Sequence, residues 1–261
     1  MNIVVCLKQV PGTTEVKIDP NTNTLIRQGI ENIINPFDTY ALEEAVRLKE
    51  KHGGKVTVMT MGPPQADAAL REAISLGADE AILLSDRAFA GADTWATANT
   101  LAQAITKLGK TDLIICGRQT IDGDTGQVGP EMAEMLNIPF VAYVSKIEEI
   151  KENYVRVSRM VEDGHEVIET TLPAVITVAK EINVPRLPSL RGIMKSKSAA
   201  IATWGIKELG VDANAVGLAG SSTQVIKIFF PQRVSKAEVL TGDAVAQVDK
   251  LIDKLKAANV I

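Results

Sequence analysis

The apolar residues of this chain fall into short runs separated by stretches with helical spacing. Residues 3–7, 56–61, 81–84 and 113–116 form near-continuous apolar runs. That is the pattern of parallel strands covered on both faces. Between them, Ala41, Leu42, Ala45, Val46 and Leu48 recur at helical spacing over 36–51. Asn35 stands in the N-cap position and Pro36 in the first helical one. A second helix opens after Gly62-Pro63-Pro64, carries Ala66, Ala69, Leu70, Ala73 and Ile74 on one face, and ends at Gly77. Two more are expected over 94–108 and from about 130 to 136. Repeated strand–helix units predict a parallel sheet with right-handed crossovers.

Beyond residue 140 the pattern changes. Residues 141–147, 154–161 and 165–171 are rich in strand formers, with Asp163-Gly164 as a hairpin turn. Residues 174–178 form another buried strand. A proline-rich, basic segment at 183–198 reads as a loop, 201–212 is mixed, and 225–230 reads as a short strand ending at Pro231. Residues 242–258 predict an amphipathic helix with Val245, Val248, Leu251, Ile252 and Leu255 on one face. Such a terminal helix either docks on another molecule or packs on its own domain. The fold class expected is α/β, a doubly wound parallel sheet with added β-hairpins and a C-terminal helical arm. The domain boundaries expected are 1–230, including the segment 183–198, and an arm over 231–261.

Composition narrows the function. A net charge of −4 offers no basic field for nucleic acid or anionic lipid, and 4% aromatic residues provide few stacking platforms. Two cysteines, Cys6 and Cys116, sit inside apolar runs and read as small buried hydrophobes, which points to a reducing compartment. No stretch reaches the roughly 20 apolar residues that span a bilayer. Residues 1–10 lack the basic leader and cleavage site of a signal peptide. The expected location is the cytoplasm. Neither His52 nor His165 has metal-ligand spacing or a nucleophile beside it, so no metal site and no catalytic side chain is expected.

The candidate chemistry lies in DLIICGRQTIDGDTGQVGPEMAEM, residues 112–135. A buried strand leads into a loop with Gly117, Gly123, Gly126 and Gly129, then a helix with Pro130 in its first turn. Ligands of parallel α/β sheets bind beyond the carboxyl ends of the strands, where successive crossovers diverge. Glycines allow close backbone approach, and free amides at a helix start attract anions. Thr125 and Gln127 add neutral hydrogen-bonding groups to this pyrophosphate cradle. Bare carboxylates repel phosphate, so Asp122 and Asp124 have two roles open to them: accepting loop amides to fix the turn, or bonding a ribose. A well-turned surface loop without a ligand is the competing reading.

Standard nucleotide motifs fail. GDTGQVG is not GxGxxG, because Asp124 stands where a glycine belongs. AITKLGKT at 104–111 lacks the first glycine of a Walker A loop and precedes a strand. An ATP-hydrolysing enzyme of this class would need a phosphate loop after the first strand, where the chain has KQVPGTTEV.

The chain resembles the beta subunit of electron-transfer flavoproteins over nearly its whole length. The resemblance is carried by IVVCLKQVP at 3–11, NPFDTYALEEAVRLKE at 35–50, TMGPPQADAALREAISLGADEAILLSD at 60–86 and GRQTIDGDTGQVGPEMAE at 117–134. VSRMVEDGHEVIETTLPAVIT at 157–177 and EINVPRLPSLRGIMKSKS at 181–198 complete it. It implies an adenine-nucleotide-binding type of fold and a heterodimer with an alpha subunit that carries FAD. In one branch of the family the beta subunit holds AMP. In the electron-bifurcating branch it holds a second FAD that accepts hydride from NADH.

Carried over residue by residue, the resemblance implies nucleotide contacts at Cys6, at Asn35, Pro36, Phe37 and Asp38, and near Met61 and Gly62. Further contacts run along 122–133, including Asp122, Gly123, Asp124, Thr125, Gly126, Gln127, Val128, Gly129 and Pro130. DGDTGQVGP, together with Asp93, Thr94 and Thr97 in DTWAT, is more similar to the FAD-binding branch, so the cofactor expected is FAD, with AMP as the alternative. The resemblance also implies that Leu190, with Arg191, Ile193 and Met194 around it, anchors the chain to an FAD-containing dehydrogenase of acyl-CoA or lactate type. The alternative is a leucine folded under its own loop. Ferredoxin is the low-potential acceptor implied for the bifurcating branch. Gly12 departs from the family, which commonly has an acidic residue after VP.

Overall fold

The computed structural model describes residues 1–12, the backbone of 17–18 and 25–26, and residues 31–227 and 237–261. The strands are β1 (Asn2–Cys6), β2 (Gln9–Pro11), β3 (Lys17–Ile18), β4 (Leu25–Ile26), β5 (Asn32–Ile34), β6 (Lys55–Met61), β7 (Glu80–Leu84), β8 (Leu113–Gly117), β9 (Phe140–Ile150), β10 (Tyr154–Val161), β11 (Gly164–Thr171), β12 (Ala174–Val178) and β13 (Ala202–Trp204). The helices are α1 (Pro36–His52), α2 (Asp67–Ser75), α3 (Thr94–Leu108), α4 (Val128–Leu136), α5 (Leu190–Ser198), α6 (Ile206–Leu209) and α7 (Ala244–Ala257).

One nine-stranded sheet runs in the order β11-β10-β9-β12-β8-β1-β6-β7-β13. From β9 to β13 neighbouring strands pair in parallel, while β10 and β11 are added antiparallel at one edge. The unbroken apolar runs hide a strict alternation. In β1, Ile3 and Val5, and Leu7 just beyond it, face a core shared with α1 and α2, through Ala41, Leu42, Leu70 and Ile74. Val4 and Cys6 face the opposite core, shared with α3 and α4 through Leu101, Ile105 and Met132. β8 divides in the same way, Leu113 and Ile115 to one side and Ile114 and Cys116 to the other. Helices on both faces explain why no polar residue marks these strands.

The chain winds outward from β1 through β6 and β7, then returns through α3 to β8 on the other side of β1. The winding therefore changes direction between β1 and β8, and their carboxyl ends open a crevice there. This is the doubly wound architecture predicted from the strand–helix alternation.

Several local expectations differ. Residues 190–198 are helical rather than loop. Ser189 caps that helix by accepting the Gly192 amide at 3.0 Å, which overrides the breaking signals of Pro188 and Gly192. The hairpin turns at Glu162-Asp163, because Gly164 already pairs with Val161. Of the strand read over 225–230, residues 225–227 carry no strand and 228–231 lie outside the described residues. The expected boundary at 230 and 231 lies outside them too. The chain divides into a unit Met1–Val225 and a unit Ile226–Ile261. In the second, α7 is capped by Asp243, which accepts the Ala246 amide, and Lys254 pairs with Glu238 at 2.6 Å.

Candidate functional site

The crevice is built from three chain segments that meet at the carboxyl ends of β1 and β8. Cys6 and Cys116 are register partners on these strands and both are buried. Burial and the neighbouring Cys6 sulfur push the Cys116 thiol upward, with the hydrogen bond to Cys6 the larger cause. A protonated, buried thiol is a packing group rather than a nucleophile.

Asn35 ties the segments together. It is fully buried, and its side chain makes no helix cap. Instead its Nδ2 donates to the Gln119 carbonyl at 2.9 Å and its Oδ1 accepts the Ile121 amide at 3.1 Å, while its own amide donates to the Lys8 carbonyl at 2.8 Å. This one residue thus fixes the start of α1 to the end of β1 through its backbone and to the loop after β8 through its side chain. Asn35 holds the expected N-cap position, with Pro36 opening α1, but its side chain serves the loop after β8 instead of capping the helix amides.

Asp38, one turn into α1, lies on the crevice floor at 4% exposure. Its Oδ2 accepts the Lys8 amide at 2.7 Å. Burial pushes its carboxyl up to about 7, against hydrogen bonds from Asn35 and from the Lys8 and Gly117 amides. Gly117 is required here on steric grounds. A Cβ at that position would lie 2.3 Å from Asp38 Oδ1 and 2.7 Å from the Phe37 carbonyl carbon, so β8 and α1 could not close on each other.

The loop 118–127 rises from this floor, and residues 121–127 are exposed. Asp122 is paired with Lys8 Nζ at 2.8 Å. Burial raises its carboxyl, but the Lys8 hydrogen bond and charge outweigh that and hold it below the usual carboxylate range. Both partners are part exposed, so the pair contributes only about 0–1 kcal/mol. Its effect is to cancel a negative charge beside the cradle. This corrects the expectation that the Asp122 carboxylate chiefly accepts loop amides. Asp124 takes a left-handed conformation at φ 54°, its amide donates to the Thr120 carbonyl, and its carboxylate accepts from Gln119 Nε2. The loop then enters α4, whose first amides have no intrahelical partner. Gly129 lets that first turn approach β12, since a Cβ would lie 2.8 Å from Thr177 Cγ2.

Arg118 adds a cation that the sequence pattern does not single out. Its guanidinium lies over Phe37 at 4.8 Å and over Tyr143 at 5.8 Å, and its Nε is buried without a hydrogen-bond partner among the described residues. Tyr143 holds a left-handed φ of 57°, uncommon for a bulky residue. A basic residue just past a strand end reads as surface in sequence, as Lys8 does too. Immediate succession to a buried strand was the signal available for both.

The second side of the crevice comes from α3. Asp93 caps it, accepting the Ala96 amide at 3.0 Å and the Thr223 amide at 2.8 Å. Thr94 Oγ1 reaches Glu131 at 3.1 Å and Gln127 at 3.4 Å, joining the starts of α3 and α4. Burial raises the Glu131 carboxyl.

The match to known proteins is now decisive. The electron transfer flavoprotein domain model matches residues 22–209. The chain belongs to the electron-transfer flavoprotein family. It is 53% identical to an electron transfer flavoprotein subunit beta from Thermoanaerobacterium thermosaccharolyticum, across the full length of both chains. It is 50% identical to the caffeyl-CoA reductase-Etf complex subunit CarD of Acetobacterium woodii, again across both chains. It is 43% identical to protein FixA of Azorhizobium caulinodans, covering 98% of this chain and 94% of that protein.

Within this family member, the structure brings Cys6, Asn35, Pro36, Phe37, Asp38 and the loop 122–130 together at the crevice. Thr94 joins them through Gln127, while the Asp93 carboxylate is turned to its own helix and to Thr223. Thr97 lies one turn into α3. Met61 and Gly62 end β6, beside β1, with the Gly62 amide held by the Leu84 carbonyl at 3.0 Å. Leu190, Arg191, Ile193 and Met194 lie apart, on α5, which packs against α2. A cavity of about 170 Å³ lined by Asn2, Lys55 and Thr111 lies at the amino ends of β1 and β6, and is smaller than the several hundred Å³ of cofactor pockets. No helix among the described residues is long and apolar enough to cross a membrane.

Proposed function

We propose that this chain is the beta subunit of an electron-transfer flavoprotein heterodimer of the bifurcating branch, with FAD at the β1–β8 crevice. Electron transfer is the property named for its relatives. The observation that carries it is the change of winding between β1 and β8, lined by Asn35, Asp38, Gly117 and the exposed loop 121–127. The donor set suits a diphosphate: opening amides of α4, neutral Thr125 and Gln127, the Arg118 cation with an unsatisfied Nε, and Asp122 neutralised by Lys8. Gly123 and Gly126 put no side chain over the cradle, which supports FAD over the smaller AMP.

A flavin bound there would itself supply the chemistry of taking hydride from NADH and passing single electrons to the alpha-subunit FAD and to a low-potential acceptor such as ferredoxin. The chain's own residues bind and orient it and shield the floor from water. The exposed stripe of α7, Val245, Val248, Leu251 and Ile252, supports a C-terminal arm over 231–261 that contacts the alpha subunit. Leu190, Arg191, Ile193 and Met194 present an exposed apolar and basic surface suited to a flavin dehydrogenase. A relative named for a caffeyl-CoA reductase complex supports the acyl-CoA class.

The test is to co-express the chain with its alpha partner and count the nucleotides released on denaturation. Two FAD per heterodimer is expected. One FAD plus one AMP would place the chain in the non-bifurcating branch, with a structural nucleotide.

A further inference from the structure

The segment before α5 is strapped to α1 by an ion cluster that does not touch the nucleotide crevice. Arg186 donates to Glu43 through Nε at 2.8 Å and through its own amide at 3.1 Å, and to Glu50 through Nη1 at 2.6 Å and Nη2 at 3.0 Å. Glu43 is 4% exposed and also accepts from Arg47 Nε, while Arg47 Nη2 donates to the Val184 carbonyl at 3.1 Å. Asn183 Nδ2 donates to the Tyr40 carbonyl and to Glu44, both at 3.0 Å. A guanidinium that bridges two carboxylates in fork geometry holds direction as well as distance.

The far end of the segment is equally fixed. Gly192 packs so closely on α2 that a Cβ would sit 2.1 Å from the Ser75 carbonyl oxygen. Arg71 Nη1 donates to the Ser196 carbonyl at 2.8 Å and Lys195 Nζ to the Ala78 carbonyl at 3.0 Å. Between these two anchors the chain turns its apolar residues outward: Leu187 is 89% exposed, Leu190 83% and Met194 73%. A segment with so much apolar surface would collapse onto the protein if it were free to move. Here both ends are pinned by polar bonds, so the leucines stay out.

We propose that Arg186, bridging Glu43 and Glu50, is a positioning residue for dehydrogenase docking: it pre-orders residues 184–190 so that Leu187 and Leu190 enter an apolar pocket of the partner without an ordering cost at binding. The proposal rests on the docking reading given above and adds the device that makes it efficient. Because α1 carries Asp38 at one end and the clamp further along, the same helix frames both the nucleotide crevice and the docking segment.

The experiment uses the purified heterodimer with NADH as reductant, and a flavin-containing acyl-CoA dehydrogenase with its enoyl-CoA plus a low-potential one-electron acceptor as oxidants, reading KM and kcat for the heterodimer. Arg186→Gln is expected to raise KM about tenfold, the scale of re-ordering a few freed side chains on binding. It should leave kcat and nucleotide content unchanged and speed amide hydrogen exchange over 184–190. Arg186→Lys, which keeps the charge but not the fork, should recover part of the loss. Glu50→Gln removes one arm from the exposed side, and its smaller KM rise keeps the test intact if Arg186→Gln fails to fold. Leu190→Ala is the control on the docking reading. If Leu190→Ala raises KM and the Arg186 and Glu50 variants do not, the clamp is overturned. If Leu190→Ala changes nothing, or the wild type shows no saturation with this dehydrogenase, the docking reading falls instead.

Discussion

Asp38 shows how a single side chain can link the site to solution conditions. Its carboxyl is buried against Gly117 and raised to about 7 from an ordinary value of 3.8. Below the ordinary value both the folded and the unfolded chain hold the proton, and pH has no purchase on stability. Between about 4 and 7 the folded state keeps a proton that the unfolded state has lost, so stability falls as pH rises, and above 7 the whole penalty is present. Comparing wild type with Asp38→Asn by chemical denaturation at pH 5 and pH 8 should show the variant gaining about 2–4 kcal/mol relative to wild type at the higher pH. Parallel stabilities at the two pH values would contradict the buried-carboxyl account. At this scale the sequence was partly legible. Asp38 and Asn35 came through the resemblance of NPFD to the family. Lys8 and Arg118 did not, because an isolated basic residue after a strand looks the same whether it faces solvent or a ligand.

At the scale of elements, the unit that matters is β8, its loop and α4. Asp124 is the residue on which the loop turns, held at φ 54° with its carboxylate on Gln119. Asp124→Ala keeps the left-handed backbone but removes the carboxylate that accepts from Gln119 and offsets its strain, costing about 1–3 kcal/mol. The variant heterodimer should lose nucleotide on gel filtration under conditions where the wild type retains it; equal retention would remove Asp124 from the account. β1, β6, β7, β8 and β12 were readable to within a residue or two because continuous apolar runs fit a sheet covered on both faces, whereas the short β2, β5 and β13 carry no such run. α5 was not. Its proline, glycine and lysine content reads as loop, and its helicity comes from the local Ser189 cap and from packing on α2 through Gly192 against Ser75 and Arg71 to Ser196, the latter two between residues more than a hundred positions apart.

At the scale of the whole Met1–Val225 unit, topology places the ligand. Alternating strand and helix could be read from the sequence, but the insertion of β12 between β8 and β9 could not, since nothing local specifies which strands become neighbours. Once β8 is seen to return beside β1, the crevice at their carboxyl ends follows, and the glycine loop found by composition falls on its rim. The central claim is that the nucleotide lies there. Amide hydrogen exchange on the heterodimer, compared with nucleotide bound and after it has been stripped, tests this directly. Bound nucleotide is expected to slow exchange at residues 117–130 and at the start of α1. Unchanged exchange in those segments, with protection appearing instead around Asn2 and Thr111 at the opposite end of the sheet, would contradict it.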